Sequence, residues 1–327
     1  MRLYHLAGVF AVPLVTWFGA APLSYAQAAY PDRPIKLIVP YPPGGPTDIV
    51  ARLIAQKLTA TMDQPVFVDN QSGANGNIGS SAAARATADG YTLLLGSAGP
   101  LTINPSLYPK MAFNSATDFS PISLVAQLPL VLVAGPNLKV KSVAELIALG
   151  RSKPGELTFA SSGNGSTQHL AGELFKSMAH IDARHIPYKG AAAALGDVLA
   201  GRIDFMIELT PTALPQIAAG KLRPLAVTSL KRLPTLSDVP TLDESGLTDF
   251  EVISWFGIVA PAGTPRSIVG KLNDVLTQAT RDAHTREIFA GQGVLPLEST
   301  AAEFESRIKS DLAKWGKVVK QANVQIN

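Results

Sequence analysis

At 327 residues and a formal net charge of +3, the chain is long enough for two domains, each with its own core. Its basic residues are scattered, with no run longer than Lys231-Arg232, which argues against nucleic acid as a partner. The absence of Cys excludes disulfides, thiolate catalysis and Cys-ligated zinc, and the five His show no metal-ligand spacing, so neither metal nor cofactor is expected.

Residues 1–28 read as a secretory signal. Arg2 gives a short positive start, Leu6 to Phe18 is largely apolar, and Ala26-Gln27-Ala28 supplies a small-x-small cleavage pattern. Pro13 and Pro22 interrupt the apolar run, which is short for a membrane anchor. The mature chain is therefore expected to begin at Ala29 and to be periplasmic. No later segment is apolar enough to span a bilayer.

The stretch that organises the mature chain is Pro40 to Asp48. It follows the apolar run Ile35 to Val39 and precedes a helical stripe of Ile49, Val50, Leu53, Ile54 and Leu58. Its prolines fix φ, while Gly44 and Gly45 let the backbone approach a ligand closely. Thr47 or Asp48 can cap the helix, whose free N–H groups suit a carboxylate. Read alone, the same stretch also fits an ordinary strand-to-helix turn.

Further strand-loop-helix units follow. Pro65 to Val68 is a strand running into the Gly/Asn-rich loop Asn70 to Gly79, and Ser80 to Ala88 is a small-residue helix. Tyr91 to Leu95 is a strand opening onto Gly96 to Pro100, where Ser97 and Ala98 stand at a strand end suited to a cleft. Phe119 to Ala134, with Pro121 and Pro129, should be one or two strands leaving the first domain. A second round begins after the capping box Ser142/Glu145. Leu157 to Ala160 is its strand, Ser161 to Thr167 the loop and His169 to Met178 the helix; Ile186 to Gly190 leads into the helix from Ala191. Ile203 to Leu209 and Leu222 to Thr228 are strands, separated by a helix near Ala213 to Ala219. Past the strand Trp255 to Ala260, Thr264 as N-cap and Pro265 at N1 start a helix, and the box Thr300/Glu303 starts the last one.

These C-terminal elements have no sheet of their own, so the chain is expected to return to the first domain. The expected fold is α/β: two lobes, each a mainly parallel sheet flanked by helices, joined by crossing strands that act as a hinge. The division is residues 1–28 as signal peptide, 29–127 with 254–327 as the first lobe, and 128–253 as the second.

Nine motifs then recur in a familiar order: Tyr41 to Asp48, Gly73 to Gly79, Asp89 to Leu93, Pro187 to Gly190, Gly201 to Asp204, Ala219 to Leu222, Asp238 to Thr241, Trp255 to Gly257 and Ala260 to Pro265. Together, over essentially the whole mature chain, they resemble the Bug-type receptors, the extracytoplasmic solute-binding subunits of tripartite tricarboxylate transporters. The resemblance implies a monomeric Venus-flytrap receptor that closes over a small organic acid and hands it to integral membrane transporter subunits. A ligand-sensing receptor for a signalling partner is the alternative. A di- or tricarboxylate, an aromatic acid and an amino acid are all compatible ligands.

The resemblance also implies a site. The turn matching Tyr41, Pro43, Gly44, Gly45 and Thr47 approaches one ligand carboxylate, and the loop matching Ser161 to Thr167 meets the ligand from the opposite lobe. Within that loop Ser162, Gly163, Asn164, Gly165, Ser166 and Thr167 offer hydroxyls and backbone N–H groups at a helix start. Tyr188, Gly190 and Ala191 are expected to line the cleft. His169 is a candidate ligand contact, although a core or solvent-facing role fits as well; Lys189 reads as solvated and Asp204 as structural. Glu208 departs from the more usual Asp of the family; one methylene longer, it either fills the pocket or turns away, and the expectation is that it binds the ligand and selects among acids. An exported hydrolase is the rival class, but there is no GxSxG elbow, and Ser166 and His169 are poorly spaced for nucleophile and base.

Overall fold

The computed structural model describes Met1 and residues 30–321, so the export pattern of residues 1–28 lies outside the described residues. Strand β1 (Ile35–Val39) is followed by α1 (Pro46–Met62), β2 (Val66–Asn70), α2 (Asn77–Ala84) and β3 (Thr92–Ser97), and β1 pairs in parallel with β2 and β3. Val50, Ile54 and Leu58 form the buried stripe of α1, as their i, i+4, i+8 spacing requires. Helix α2 starts three residues earlier than the sequence suggests, because Ala74–Gly76 form a 3-10 turn that feeds directly into it. After β3 the chain makes a wide helical turn over Gly99–Ile103 and a short helix α3 (Asn104–Leu107).

The long apolar run is one strand, β4 (Phe119–Ala134). Then come α4 (Val143–Ser152), β5 (Thr158–Ser161), α5 (Thr167–Ala179), β6 (Arg184–Pro187), α6 (Ala191–Leu199), β7 (Phe205–Leu209), α7 (Thr210–Ala218) and β8 (Arg223–Val227). The C-terminal part is β9 (Ile253–Pro261), α8 (Arg266–Arg281), α9 (Ala283–Gly291), β10 (Leu295–Pro296) and α10 (Ala301–Gln321). The strand order is β2-β1-β3-β9-β4-β7-β5-β6, with β8 and β10 also paired to β4. Among the named strands, parallel pairing joins β1 with β2 and β3, and β5 with β6 and β7. The strands that connect the two halves pair antiparallel.

Strand β4 belongs to both halves. Phe119 to Pro129 pair with β9, and Leu130 to Ala134 pair with β7. Register shifts near Pro121 and between Leu124 and Ala126 let it carry a proline and bend. The Ser142 and Thr300 hydroxyls cap as the sequence suggests, accepting from Glu145 N and Glu303 N, each at 3.2 Å. Thr264 differs: its hydroxyl donates back to Pro261 O (2.8 Å), and the extended Pro265 caps α8 instead, its carbonyl accepting from Ile268 N and Val269 N. Helix α10 covers β9. Phe304 packs edge-on against Trp255, with ring centroids 5.4 Å apart, and Trp255 Nε1 donates to the buried Asp311 Oδ2 at 2.7 Å.

The two chain crossings between the halves are fastened at Thr228. Its N donates to Leu130 O (2.9 Å), its hydroxyl accepts from Leu130 N (2.9 Å) and donates to Val252 O (2.6 Å), and Val252 N donates to Thr228 O (3.1 Å). The hydroxyl thus replaces ladder bonds that the departing strands cannot make. Thr228→Val keeps the shape but leaves a buried N–H and a buried C=O unpaired. It should destabilise the fold by about 1–3 kcal/mol, and urea unfolding of the two proteins checks this.

Candidate functional site

The Pro-Pro-Gly-Gly turn is tied down by a carboxylate that the sequence reading considered as a cap. Asp48 Oδ2 accepts from Gly44 N (3.0 Å) and Arg52 Nε (2.9 Å), and Oδ1 accepts from Asn70 Nδ2 (3.0 Å). Asn70 Nδ2 also donates to Tyr41 O at 3.0 Å, so both ends of the turn are held. Burial opposes ionisation of Asp48, but the hydrogen bonds from Arg52, Gly44 and Asn70 outweigh it and hold the carboxyl below its ordinary range. Gly44 sits at φ +80°, a conformation that other residues enter with strain. Helix α1 then begins behind Gly45 with no side-chain cap, leaving its first N–H groups free of side-chain partners.

A cavity of about 200 Å³ opens between the two halves of the sheet. One wall is Tyr41, Pro43, Gly45 and Thr47 of the turn, with Ser97 at the end of β3. The facing wall is Ser162, Ser166 and Thr167 of the loop before α5, with Gly190 and Ala191 at the start of α6. Pro42, Pro46, Gly99, Ala192 and Ala193 extend these same stretches. Four helix starts therefore reach the wall: those of α1, α5 and α6, and that of α7, whose N-cap is Leu209. The wall carries no acidic side chain, and Lys189 is its one basic side chain. Dipoles and free N–H groups aimed at one small space favour an anion there.

Other wall residues escaped the sequence reading. Ser254 and Phe256 come from β9, which returns from the far side of the chain, and Thr167 Oγ1 lies 3.4 Å from Ser254 Oγ. No local pattern marks that approach. Gln168 was legible as the residue after the loop; its Oε1 accepts from Ser162 Oγ at 3.0 Å. Gly163, Asn164 and Tyr188 line an adjoining outer compartment of about 590 Å³, which shares Tyr41, Pro42, Ser162, Lys189 and Gly190 with the inner cavity. The Tyr188 hydroxyl donates to Asp197 Oδ2 at 2.6 Å. Gly44, Ala98 and Gly165 do not line the inner cavity, Gly44 being exposed at the tip of its turn.

His169 is also off the wall. Its Nδ1 accepts from Gly165 N (3.1 Å), and its ring stacks on His185 with centroids 3.9 Å apart. His185 Nε2 in turn pairs with Ser161 Oγ at 2.6 Å. Burial, aided by the charge of Lys176, pushes the His169 pKa down to about 4; burial, His169 and Lys176 push His185 down to about 3. Both rings stay neutral near pH 7 and buttress the loop from beneath. Asp204 is structural, its Oδ2 accepting from Thr158 N and Oγ1, each at 2.8 Å.

Glu208 does not face the cavity as the sequence reading expected. Strand alternation turns it inward while its neighbour Leu209 reaches the wall. It is wholly buried, Oε1 accepts from Thr212 Oγ1 (2.7 Å), and Oε2 has no partner among the described residues. Burial pushes this carboxyl up to about 7, against hydrogen bonding from Thr212, Leu209 N and Gln168. Among the described residues no group of three His, Cys, Asp or Glu could hold a metal ion.

Known proteins place this geometry in a class. The description "Tripartite tricarboxylate transporter family receptor" matches residues 50–324, and the chain belongs to that family. It is similar to Rpa4515 of R. palustris, solved with adipate, at 39% identity and a TM-score of 0.89, covering 90% of this chain and 99% of that one. Similarity to the periplasmic binding protein BugD is 37% identity and a TM-score of 0.87, over 90% and 99% of the two chains. MatC from Rhodopseudomonas palustris, solved with bound malate, matches at 31% identity and a TM-score of 0.84, over 89% and 100%. The fold is thus the two-lobed periplasmic binding protein fold, of Bug type.

A buried acid whose folded pKa is raised binds more protons folded than unfolded between its two pKa values. Glu208 therefore removes stability as pH rises from about 4.5 to about 7, and no more beyond. Glu208→Gln should be more stable than the parent by roughly 3 kcal/mol at pH 8 and by little at pH 4. Denaturant midpoints of both proteins across that range test it; a pH-independent difference would show that Glu208 titrates alike in the folded and unfolded protein.

Proposed function

We propose that this chain is a periplasmic receptor that closes over a small dicarboxylate and delivers it to the membrane subunits of a tripartite tricarboxylate-type transporter. The observation that carries the reading is the cavity itself: four helix starts, the hydroxyls of Thr47, Ser166 and Thr167, one lysine and no acid. A carboxylate there gains on the order of 0.3–1 kcal/mol from each helix terminus, so affinity comes from many hydrogen bonds assembled together. The wall offers no carboxylate to pair with an ammonium group, which favours plain diacids over amino acids. Adipate and malate in the similar structures belong to the favoured class. Export through the N-terminal signal agrees with this role, and no described helix is long and apolar enough to cross a membrane.

In this reading residues 29–127 with 254–327 and residues 128–253 are the two bodies that rotate about β4 and the crossing at Thr228, in a monomer. Their contact around the cavity supports closure. A Cβ on Gly190 would come within 2.9 Å of Pro42 Cγ, and one on Gly165 within 2.8 Å of Asn104 Oδ1. Both glycines have positive φ, which leaves the facing residues room to seat against bare backbone. Catalysis is disfavoured because the ring nitrogens that could serve as base, on His169 and His185, are engaged with Gly165 N and Ser161 Oγ away from the wall.

Calorimetry with malate, adipate and an amino acid should give heat with a diacid and none with the amino acid. Small-angle scattering should show a smaller radius of gyration at diacid saturation. Gly190→Ala, folded by circular dichroism, should bind roughly ten- to a hundredfold more weakly, because the added methyl must displace Pro42 before the halves meet. Absence of binding by every acid would overturn the receptor reading, and an unchanged affinity in Gly190→Ala would overturn this closure contact.

A further inference from the structure

We propose that Glu208 is a proton-uptake site coupled to ligand capture, so that an anion entering the cavity is bound together with a proton taken up by this carboxylate. The inference rests on the carboxylate-receptor reading and concerns a residue behind the wall. Geometry isolates the group. Helix α7 presents Thr212 to it, β4 presents Val131 opposite it in register, and its own strand presents the Leu209 N–H. Helix α5 presents Gln168, whose amide lies beside the carboxyl without reaching hydrogen-bond geometry to Oε2. No charged side chain among the described residues biases it. On α5 and β6, His169, Lys176 and His185 act on one another, Glu173 pairs with Lys176 at 3.0 Å and Arg184 is exposed, while Asp197 of α6 is engaged by Tyr188 and Arg202.

The charge on Glu208 is therefore set by burial and by whatever occupies the cavity one side chain away. Gln168 and Leu209 form that thin partition, each lining the cavity on one side. Without ligand, burial already outweighs the hydrogen bonds from Thr212, Leu209 N and Gln168 and brings the carboxyl to about 7. A ligand carboxylate across the partition disfavours the ionised form further, since like charges interact strongly where water is excluded. Protonation removes that repulsion and converts the bare Oε2 into an O–H donor. Proton uptake thus follows from placing an uncompensated acid behind an anion site.

Calorimetric titration of the full chain with malate and with adipate at pH 7, in PIPES and in imidazole buffer, reads the coupling. The apparent enthalpy should differ between the buffers by uptake of about half a proton per ligand, and affinity should weaken by up to about tenfold per pH unit above pH 7. Glu208→Gln should bind with neither dependence. Heat that is the same in both buffers, or uptake that persists in Glu208→Gln, overturns the coupling while leaving the receptor intact. No heat with any acid overturns the receptor reading and the coupling with it.

Discussion

A small anion can be taken out of water only where donors already point at the space it will fill, and in this molecule four helix starts wall one cavity. Strand-helix units pairing in parallel bring several helix starts to one edge of the sheet. Here the starts of α1, α5, α6 and α7 come from both halves and meet at one cavity. Fixed dipoles do the work that a cluster of Arg and Lys would do elsewhere. They need no side-chain ordering, and they leave a wall whose one charged side chain is Lys189. The Asp48 carboxylate serves this end indirectly. It consumes Gly44 N and Asn70 to hold the turn in shape and leaves the helix start behind Gly45 free.

The same requirement explains why the halves are linked as they are. In the proposed closing motion the link would have to bend without losing backbone hydrogen bonds, because unpaired buried groups are expensive. Strand β4 passes through both halves unbroken, and Thr228 supplies side-chain bonds where the second crossing leaves the ladder. The close approaches sit on glycines, Gly190 beneath Pro42 and Gly165 beneath Asn104, so contact is backbone against side chain with little to reorder.

Beneath the cavity the fold accepts destabilising groups. Two stacked neutral imidazoles support the Ser161 to Thr167 loop, and a lone carboxyl lies behind Gln168. Their pH dependences oppose each other. The histidines, with folded pKa values below that of an exposed imidazole, remove stability as pH falls from about 6.5 toward 4, whereas Glu208 removes it as pH rises toward 7. Such groups are characteristic of functional layers rather than of cores chosen for stability alone.

The sequence by itself determined the local elements and the family. Apolar runs bounded by Pro and Gly gave β1, β3 and β5; the Ser142 and Thr300 caps, the stripe of α1 and the two loops that line the cavity were all legible, since their causes lie within a few residues of one another. Tyr41, Thr47, Ser97, Ser166 and Gly190 were identified as cavity candidates because strand ends and helix starts are local features that gather at one sheet edge. Only the tertiary structure decided what meets across distance. Ser254 and Phe256 reach the wall through β9, which pairs with strands more than a hundred residues earlier in the chain. His169 and Glu208 could not be oriented from composition, because a turn of helix or one step of a strand reverses the face a side chain takes. Which face is buried depends on the neighbours packed against it, and those are set by the fold of the whole chain.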